Sequence, residues 1–333
     1  MTRALDLGFE LTNLCNLHCT HCIRGSHQAE IDRLDLPFIA GVLDQAVALF
    51  DPVDVVFTGG EPLASEIFAP VVGELRRRGL SWRFVTNGWL IPRHLRTLMA
   101  HPPRFVRVSL SGATARTHDE QRGAGSFERA LLAVATLLSR GLRAQLSMVI
   151  LRGNRGQLAD AITLAGTLGV DELHFILPQP TPESALDGSD LSPLEWNEVA
   201  SDIRALCLTA PLPVLLDYGT SMPLPRALCN TLAFRQLYVD AKGRVPFCCQ
   251  LSRYGSGEEV IIGDLRSETL AVIAQRARAL YDVEVRDTTR RHEAGDWDAL
   301  DDYPCLSCAR RKGRTGFLAE FPEHSWTALA GSA

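Results

Sequence analysis

The sequence has no apolar run long enough to cross a membrane. Its hydrophobic stretches, such as residues 41–50, are broken by Asp44 and Gln45, well short of the roughly 20 residues a spanning helix needs. It also lacks the basic start, apolar segment and small-residue cleavage site of a secretory signal: residues 1–14 carry one Arg, then Asp6 and Glu10. These absences place the expected compartment in the cytoplasm. There is no excess of basic charge: 34 Lys and Arg stand against 39 Asp and Glu, a net −5. That argues against a dedicated nucleic-acid binder and suits, weakly, a cationic ligand. No long repeat and no low-complexity tract occurs. With 46% hydrophobic and 22% charged residues in 333, the chain is globular, sized for one large domain with or without an appendage.

The most informative absence is that of cysteine from residues 23–206. The nine cysteines split into a group at 15, 19 and 22 and a second group of five between 229 and 308, with Cys207 apart. In a reducing compartment such groups are better read as metal or redox sites than as disulfides.

The cysteine-free middle alternates short apolar runs with amphipathic segments. Strands are expected over 4–11, 53–57, 82–85, 105–110, 143–151 and 172–177, with helices over 36–50, 64–78, 90–100, 127–140 and 156–168. Glycines past helix ends and β-branched or aromatic runs support this pattern. Six βα repeats imply parallel strands joined by right-handed crossovers. Residues 178–193, with four prolines, read as a linker or active-site loop. A further helix is expected over 194–208, and 237–248 reads as a hairpin turning at Lys242-Gly243.

Cys15-x3-Cys19-x2-Cys22 follows the first strand directly. Three thiolates this close can hold an iron–sulfur cluster while leaving one iron open, where structural clusters have four cysteines. A zinc ion completed by His18 or His21 is the bland alternative. The spacing, placed after the first strand of a six-repeat βα chain, resembles the radical S-adenosylmethionine (SAM) enzymes. The resemblance extends to Gly59-Gly60-Glu61-Pro62 after the second strand, Asn87 after the third, Ser109 and Ser111 at the fourth and Ser147 on the fifth. It implies a partial (β/α)6 barrel, a catalytic [4Fe–4S] cluster on Cys15, Cys19 and Cys22, and SAM as co-substrate. It further implies SAM contacts from His21, Gly59, Gly60, Glu61, Asn87, Ser109, Ser111 and Ser147. The chain departs from the family in having Ser111 where many relatives have Asp, and His21 where Phe, Tyr or Trp is usual.

Cys229-x13-Gly243-x4-Cys248, followed by Cys305-x2-Cys308, resembles a shortened SPASM pattern, the twitch form. That likeness implies a second, auxiliary [4Fe–4S] cluster on these four cysteines; a four-cysteine zinc site is the alternative. The implied organisation is a radical SAM core over 1–180, a linker and helix over 181–225, and a twitch-like auxiliary domain over 226–333. Cys207, near Ile203 and Leu206, reads as a buried small hydrophobe. Cys249, next to a proposed ligand, would face away from it on an extended strand, unless Cys249 is itself the ligand or is merely buried. A thiol at the barrel mouth can return a hydrogen atom to a carbon radical.

With the cysteine loop so near residue 1, no N-terminal leader-peptide domain is expected. The acids Glu183, Asp187 and Asp190 in the linker and Asp296 and Asp298 before Cys305 suit a polycationic substrate, or an ordinary solvated surface. Together these features resemble the radical SAM epimerases of aminoglycoside biosynthesis. That resemblance implies Cys249 as hydrogen donor, an aminoglycoside substrate, and an external flavodoxin- or ferredoxin-type reductant, with no nucleic-acid or membrane partner. A twitch-type dehydrogenase of an aminocyclitol or sugar alcohol is the alternative, and a non-catalytic iron–sulfur or zinc sensor a distant one.

Overall fold

The computed structural model describes residues 4–23, 30–178, 180–217, 229–251 and 258–330. The side chains of Glu183, Glu259 and Ala330 lie outside the description. The chain runs β1 (Leu5–Glu10), α1 (Leu36–Leu49), β2 (Val53–Thr58), α2 (Phe68–Arg77), β3 (Ser81–Thr86), α3 (Ile91–Ala100), β4 (Val106–Leu110), α4 (Ala115–Arg122), α5 (Ser126–Ser139), β5 (Ala144–Val149), α6 (Leu158–Leu168) and β6 (Glu172–Ile176). It continues through α7 (Pro182–Asp187), α8 (Pro193–Cys207), β7 (Val214–Asp217), β8 (Gln236–Val239), β9 (Arg244–Pro246), β10 (Ile261–Asp264), α9 (Leu270–Glu293) and α10 (Pro304–Arg311).

The six expected strands form one parallel sheet, extended at both edges to the order β7-β6-β5-β4-β3-β2-β1-β8. This is the α/β architecture of a partial barrel. Strand alternation sorts the side chains: Leu5, Leu7 and Phe9 are buried, as are Val55, Phe57, Val106 and Val108, and pack under the helices. Helices start where the sequence supplies caps. Asp35 accepts the Phe38 amide at 2.9 Å to open α1, and Ser192 and Glu195 form a reciprocal cap on α8.

The inward face of the strands is polar. Arg83 pairs with Asp6 at 2.6 Å and with Asp54, and Arg104 reaches Asp54 at 2.9 Å. Arg107 donates to Gln145 at 2.8 Å and contacts His174, which in turn pairs with Glu172. These groups plug the lower lumen, where complete barrels pack branched apolar side chains.

Three expectations change. The hairpin over 237–248 is only a turn, closed by Asp240 N–H to Arg244 C=O at 2.9 Å. β8 instead pairs in parallel with β1, Asp6 opposite Gln236, and β9 pairs antiparallel with β10. Gly8 makes room for this: a Cβ there would lie 3.0 Å from the Tyr238 ring. The linker over 178–193 contains helix α7, capped by Thr181 with Pro182 in its first turn. Strand β7 was hidden among Pro211 and Pro213.

The C-terminal part leans on the barrel. Trp196 of α8 is buried and meets Tyr303 edge-on at 5.4 Å, while Asn197 donates to the Tyr303 hydroxyl at 2.9 Å. This contact holds the segment entering α10, which carries Cys305 and Cys308. Trp196→Ala should therefore cost about 3–5 kcal/mol of stability. Thermal unfolding would show a clear drop in midpoint; an unchanged midpoint would mean the joint carries no energy.

Candidate active site

The C-terminal ends of the strands surround a cavity of about 290 Å³. Cys15, Cys19, His21 and Cys22 form one wall, and Thr58, Gly59, Gly60 and Glu61 a second. Asn87, Ser109, Arg122, Val149, Ile176, Leu177, Pro178, Asp217 and Gln250 line it as well.

The cysteine loop is fastened from two sides. Gly60 N–H donates to Thr12 C=O at 3.0 Å and Glu61 N–H to Leu14 C=O at 2.8 Å; Thr20 N–H donates to Gln121 C=O at 3.0 Å at the end of α4. The Leu17 amide points at Cys15 Sγ from 3.5 Å. Burial pushes the Cys15 thiol up to about 11, with that amide pulling the other way. A bound cluster relieves this penalty by taking the sulfur as thiolate.

The glycines serve the loop. In the structure, a Cβ on Gly60 would meet Leu14 O at 2.1 Å, and one on Gly59 would meet Thr12 O at 2.9 Å. Glu61 is buried, and its carboxylate accepts from Leu63 N at 3.1 Å, Thr86 Oγ1 at 2.8 Å and Asn87 N at 2.9 Å. Burial raises its pKa to about 7 against those three hydrogen bonds. Glu61 thus ties the second strand end to the third while still lining the cavity. Asn87 reaches Asn16 in the cysteine loop at 2.9 Å.

Ser109 and Ser147 sit side by side in register on β4 and β5. Ser109 lines the cavity; Ser147 is buried beside it and is not among the lining residues. Ser111 is fully buried and fully engaged, contrary to its expected place at the ligand. Its hydroxyl accepts from Arg122 Nε at 2.6 Å, its N–H faces His118 Nδ1 at 3.2 Å, and its C=O accepts from Asn154 at 3.0 Å. Its task is to aim Arg122, the cation among the described lining residues, whose other edge lies 3.5 Å from His21 Nε2. Burial, then the Arg122 charge, lowers His21 to about 3, and the same two causes lower His118 to about 4. His21 is therefore a neutral ring facing the cavity. Its Nδ1 is buried without a hydrogen-bond partner among the described residues. Arg122 and His118 were invisible in the sequence because α4 is a short polar helix with no motif of its own, and Asn154 because it sits in the turn between β5 and α6.

The second cysteine group also converges. Cys305 feels the charges of Cys248, Cys229 and Cys308; Cys308 feels Cys229 and Cys248 feels Cys308. Burial drives the Cys248 and Cys305 thiols well up and Cys308 to about 12. Backbone amides point at two of these sulfurs, Leu232 to Cys229 at 3.4 Å and Leu251 to Cys248 at 3.3 Å. Among the described residues, no group of three or more His, Cys, Asp or Glu is gathered tightly enough for one metal ion. Thiolates on a single zinc would each lie about 2.3 Å from it. A cubane cluster places each thiolate on its own iron, and the four-cysteine donor set is open to either group.

Cys248 and Cys249 do not lie on an extended strand, since β9 ends at Pro246 and Cys249-Gln250 forms a turn. Strand alternation therefore does not orient them. Cys249 is half-buried and not itself among the lining residues, but its neighbour Gln250 is. Cys207 Sγ–H donates to Val214 C=O at 3.3 Å, a half-buried structural position.

The expected substrate acids lie elsewhere. Asp190 is buried and accepts from Ser184 at 2.7 Å, with His324 at 3.5 Å. Asp187 accepts the Ser189 amide at 2.8 Å. Asp296 pairs with Arg291 at 3.3 Å and Asp298 with Arg310 at 2.5 Å. The acidic residues are drawn into local ion pairs and turns, so none of these four lines the cavity; the Glu183 side chain lies outside the described residues.

Residues 9–165, just under half of the chain, match the radical SAM superfamily. The chain is similar in sequence to curated maturases and heme synthases. It is 33% identical over 196 residues to the mycofactocin maturase MftC of Mycobacterium ulcerans, covering 58% of this chain and 53% of that protein. It is 28% identical over 204 residues to the AdoMet-dependent heme synthase of Nitratidesulfovibrio vulgaris, covering 58% and 53%. The chain thus spans about half the length of the curated relatives it matches. Among solved structures, anSMEcpe with bound AdoMet superposes with a TM-score of 0.65 at 16% identity, covering 83% of each chain. Streptococcus suis SuiB bound to S-adenosylmethionine gives 0.65 at 13%, covering 81% of this chain and 65% of that one. These last two likenesses are of fold. A radical SAM core is expected to hold SAM and a [4Fe–4S] cluster. Among the described residues, no helix is long and apolar enough to cross a membrane.

Proposed function

We propose that this chain is a radical SAM epimerase that inverts one sugar carbon–hydrogen centre, C-5‴ of neomycin C, to give neomycin B. The observation that carries the reading is the place of Cys249, next to Cys248 in the second cysteine group and one residue from the cavity wall at Gln250. Cys15, Cys19 and Cys22 would hold the catalytic [4Fe–4S] cluster. Cys229, Cys248, Cys305 and Cys308 would hold an auxiliary one in a twitch-like domain over 226–333, beyond a linker and helix over 181–225. Bound at the first site, the catalytic cluster with SAM would supply the radical chemistry that removes a hydrogen atom from one face of the substrate.

The residues of the chain prepare that event and complete it. Arg122 offers its guanidinium to the carboxylate of SAM, and the neutral His21 ring offers a face to adenine. Glu61 holds the Gly59-Gly60 turn against the cysteine loop. Cys249 returns hydrogen to the opposite face: its S–H bond breaks, a C–H bond forms, and the sulfur is left one electron short. One electron from an external flavodoxin- or ferredoxin-type reductant and one proton from solvent would restore the thiol. The substrate's oxidation state is unchanged.

Turnover of neomycin C in deuterated water tests this. One deuterium at the inverted carbon is expected, because the S–H proton exchanges with solvent. A carbonyl product would instead make the chain a dehydrogenase, and absence of 5′-deoxyadenosine would remove the enzyme reading altogether. For the SAM pocket, Arg122→Ala should weaken SAM binding roughly 10- to 100-fold, as for loss of a charge-assisted hydrogen bond. Equilibrium titration of the reconstituted protein checks this, and unchanged affinity would remove Arg122 from the site.

A further inference from the structure

The second cysteine group is backed by a chain of charges on α9 and α10. Glu284 of α9 is buried, and both of its carboxylate oxygens are used. Oε1 accepts from Arg311 Nε at 2.9 Å and from Nη2 at 2.5 Å, and Oε2 faces Lys312 Nζ at 2.8 Å. Arg311 and Lys312 stand where α10 ends, a turn beyond Cys308. Arg311 Nη1 also donates to Ser307 Oγ at 2.6 Å, and Ser307 donates to Asp301, which pairs with Arg291 at 3.0 Å. Lys312 turns the other way. Its ammonium lies 4.8 Å from the centre of the Phe247 ring, next to Cys248 in the chain. Phe247 meets Tyr281 of α9 edge-on at 5.0 Å, and the Tyr281 hydroxyl donates to the Phe247 carbonyl at 2.9 Å. Tyr281 and Glu284, one turn apart, thus let α9 grip both the segment carrying Cys248 and the helix carrying Cys308. Cys308 feels the charge of Glu284 first, then those of Arg311 and Lys312.

We propose that Glu284, Arg311 and Lys312 are positioning residues of the second cysteine site: the buried carboxylate fixes two cations beside Cys308, and the charge so held sets how readily a cluster on these cysteines takes an electron. The potential of an iron–sulfur cluster follows nearby charge and solvent exposure, and groups behind the ligands tune it. A cation there favours the reduced, more negative cluster; a carboxylate favours the oxidised one. Asp301 and Arg291 offset each other, so the balance lies between Lys312 and Arg311 on one side and Glu284 on the other. The inference rests on the reading of Cys229, Cys248, Cys305 and Cys308 as an auxiliary [4Fe–4S] site, not on the identity of the substrate.

Redox titration of the reconstituted protein, followed by electron paramagnetic resonance, tests this. Two transitions are expected, and the one whose signal changes on adding SAM belongs to the first cluster. Lys312→Met keeps a long side chain over Phe247 and removes the charge. The other transition should then fall in potential, by roughly tenfold in the reduction equilibrium or about 59 mV for one electron, while the SAM-responsive one stays. Lys312→Arg should restore it. Glu284→Gln keeps an acceptor for both cations and removes the negative charge, so the same transition should rise. Opposite shifts are the mark of charge. Shifts of one sign in both variants would show loosened packing, and unmoved potentials with about eight irons retained would show no coupling; either result overturns the inference. Should Glu284→Gln not fold, Lys312→Met against Lys312→Arg decides alone. Failure of the cluster reading looks different: the wild type itself would hold only about four irons and show one transition, and the inference would fall with it.

Discussion

Cys249→Ala should still convert SAM to 5′-deoxyadenosine and methionine, yet form no neomycin B. The expected loss of inverted product exceeds roughly 10³-fold, or about 4 kcal/mol of barrier. The reason is chemical. The first half of the reaction depends on the cysteine loop, Glu61 and Arg122, none of which this substitution touches. The second half needs a hydrogen atom that alanine does not have. Serine should not rescue it, because an alcohol O–H is a stronger bond than a thiol S–H. Iron content separates this from a structural effect. Cys248 shares its electrostatic surroundings with Cys308 and Cys305, so Cys248→Ala should lose about half of the roughly eight irons expected for two clusters, while Cys249→Ala keeps them. The reverse pattern would exchange the two roles, and normal epimerisation by Cys249→Ala would end the donor assignment.

Much of this site was legible from the chain alone because its parts are local. A Cys-x3-Cys-x2-Cys loop after a strand and Gly-Gly-Glu-Pro after the next are fixed by spacing, and both line the cavity. What escaped was made by partners distant in sequence. β8 pairs with β1 across some 230 residues, Asp6 opposite Gln236. No period in residues 236–239 announces a parallel neighbour so far away, whereas Lys242-Gly243 advertises a hairpin. The Tyr238 hydroxyl donating to Glu10 at 2.8 Å completes that seam. Arg122 is one arginine of a polar helix until Ser111 aims it. Asp217 ends a four-residue strand too short to register as one. The acidic run before Cys305 was visible as charge, but Arg291 and Arg310, which absorb it, were not visible as its partners. A charge pattern shows how much charge is present; only the fold shows whom it faces.

Gly60→Ala should leave the barrel folded and empty its first cysteine site. The new Cβ would stand 2.1 Å from Leu14 O, 2.5 Å from Leu14 C and 2.6 Å from Asn13 O. All three are backbone atoms, so no side chain can rotate to relieve the contact. The segment 13–15 has to move instead. Moving it breaks the 2.8 Å bond from Glu61 N–H to Leu14 C=O and displaces Cys15. Overpacking of this kind costs about 1–3 kcal/mol, a fraction of the 5–15 kcal/mol typical of a native domain. The far-ultraviolet circular dichroism should therefore survive with a lowered melting midpoint. Reconstituted iron should fall toward about four per chain, and SAM cleavage should disappear. Gly73→Ala in α2 is the control, because nothing lies within 4 Å of its added Cβ. A helix-interior glycine replaced there should change stability by no more than about 1 kcal/mol, in the favourable direction. If Gly60→Ala loaded iron as fully as Gly73→Ala, the cysteine loop would not depend on this contact. The glycine would then have to be explained by the ligand above it rather than by the backbone beneath.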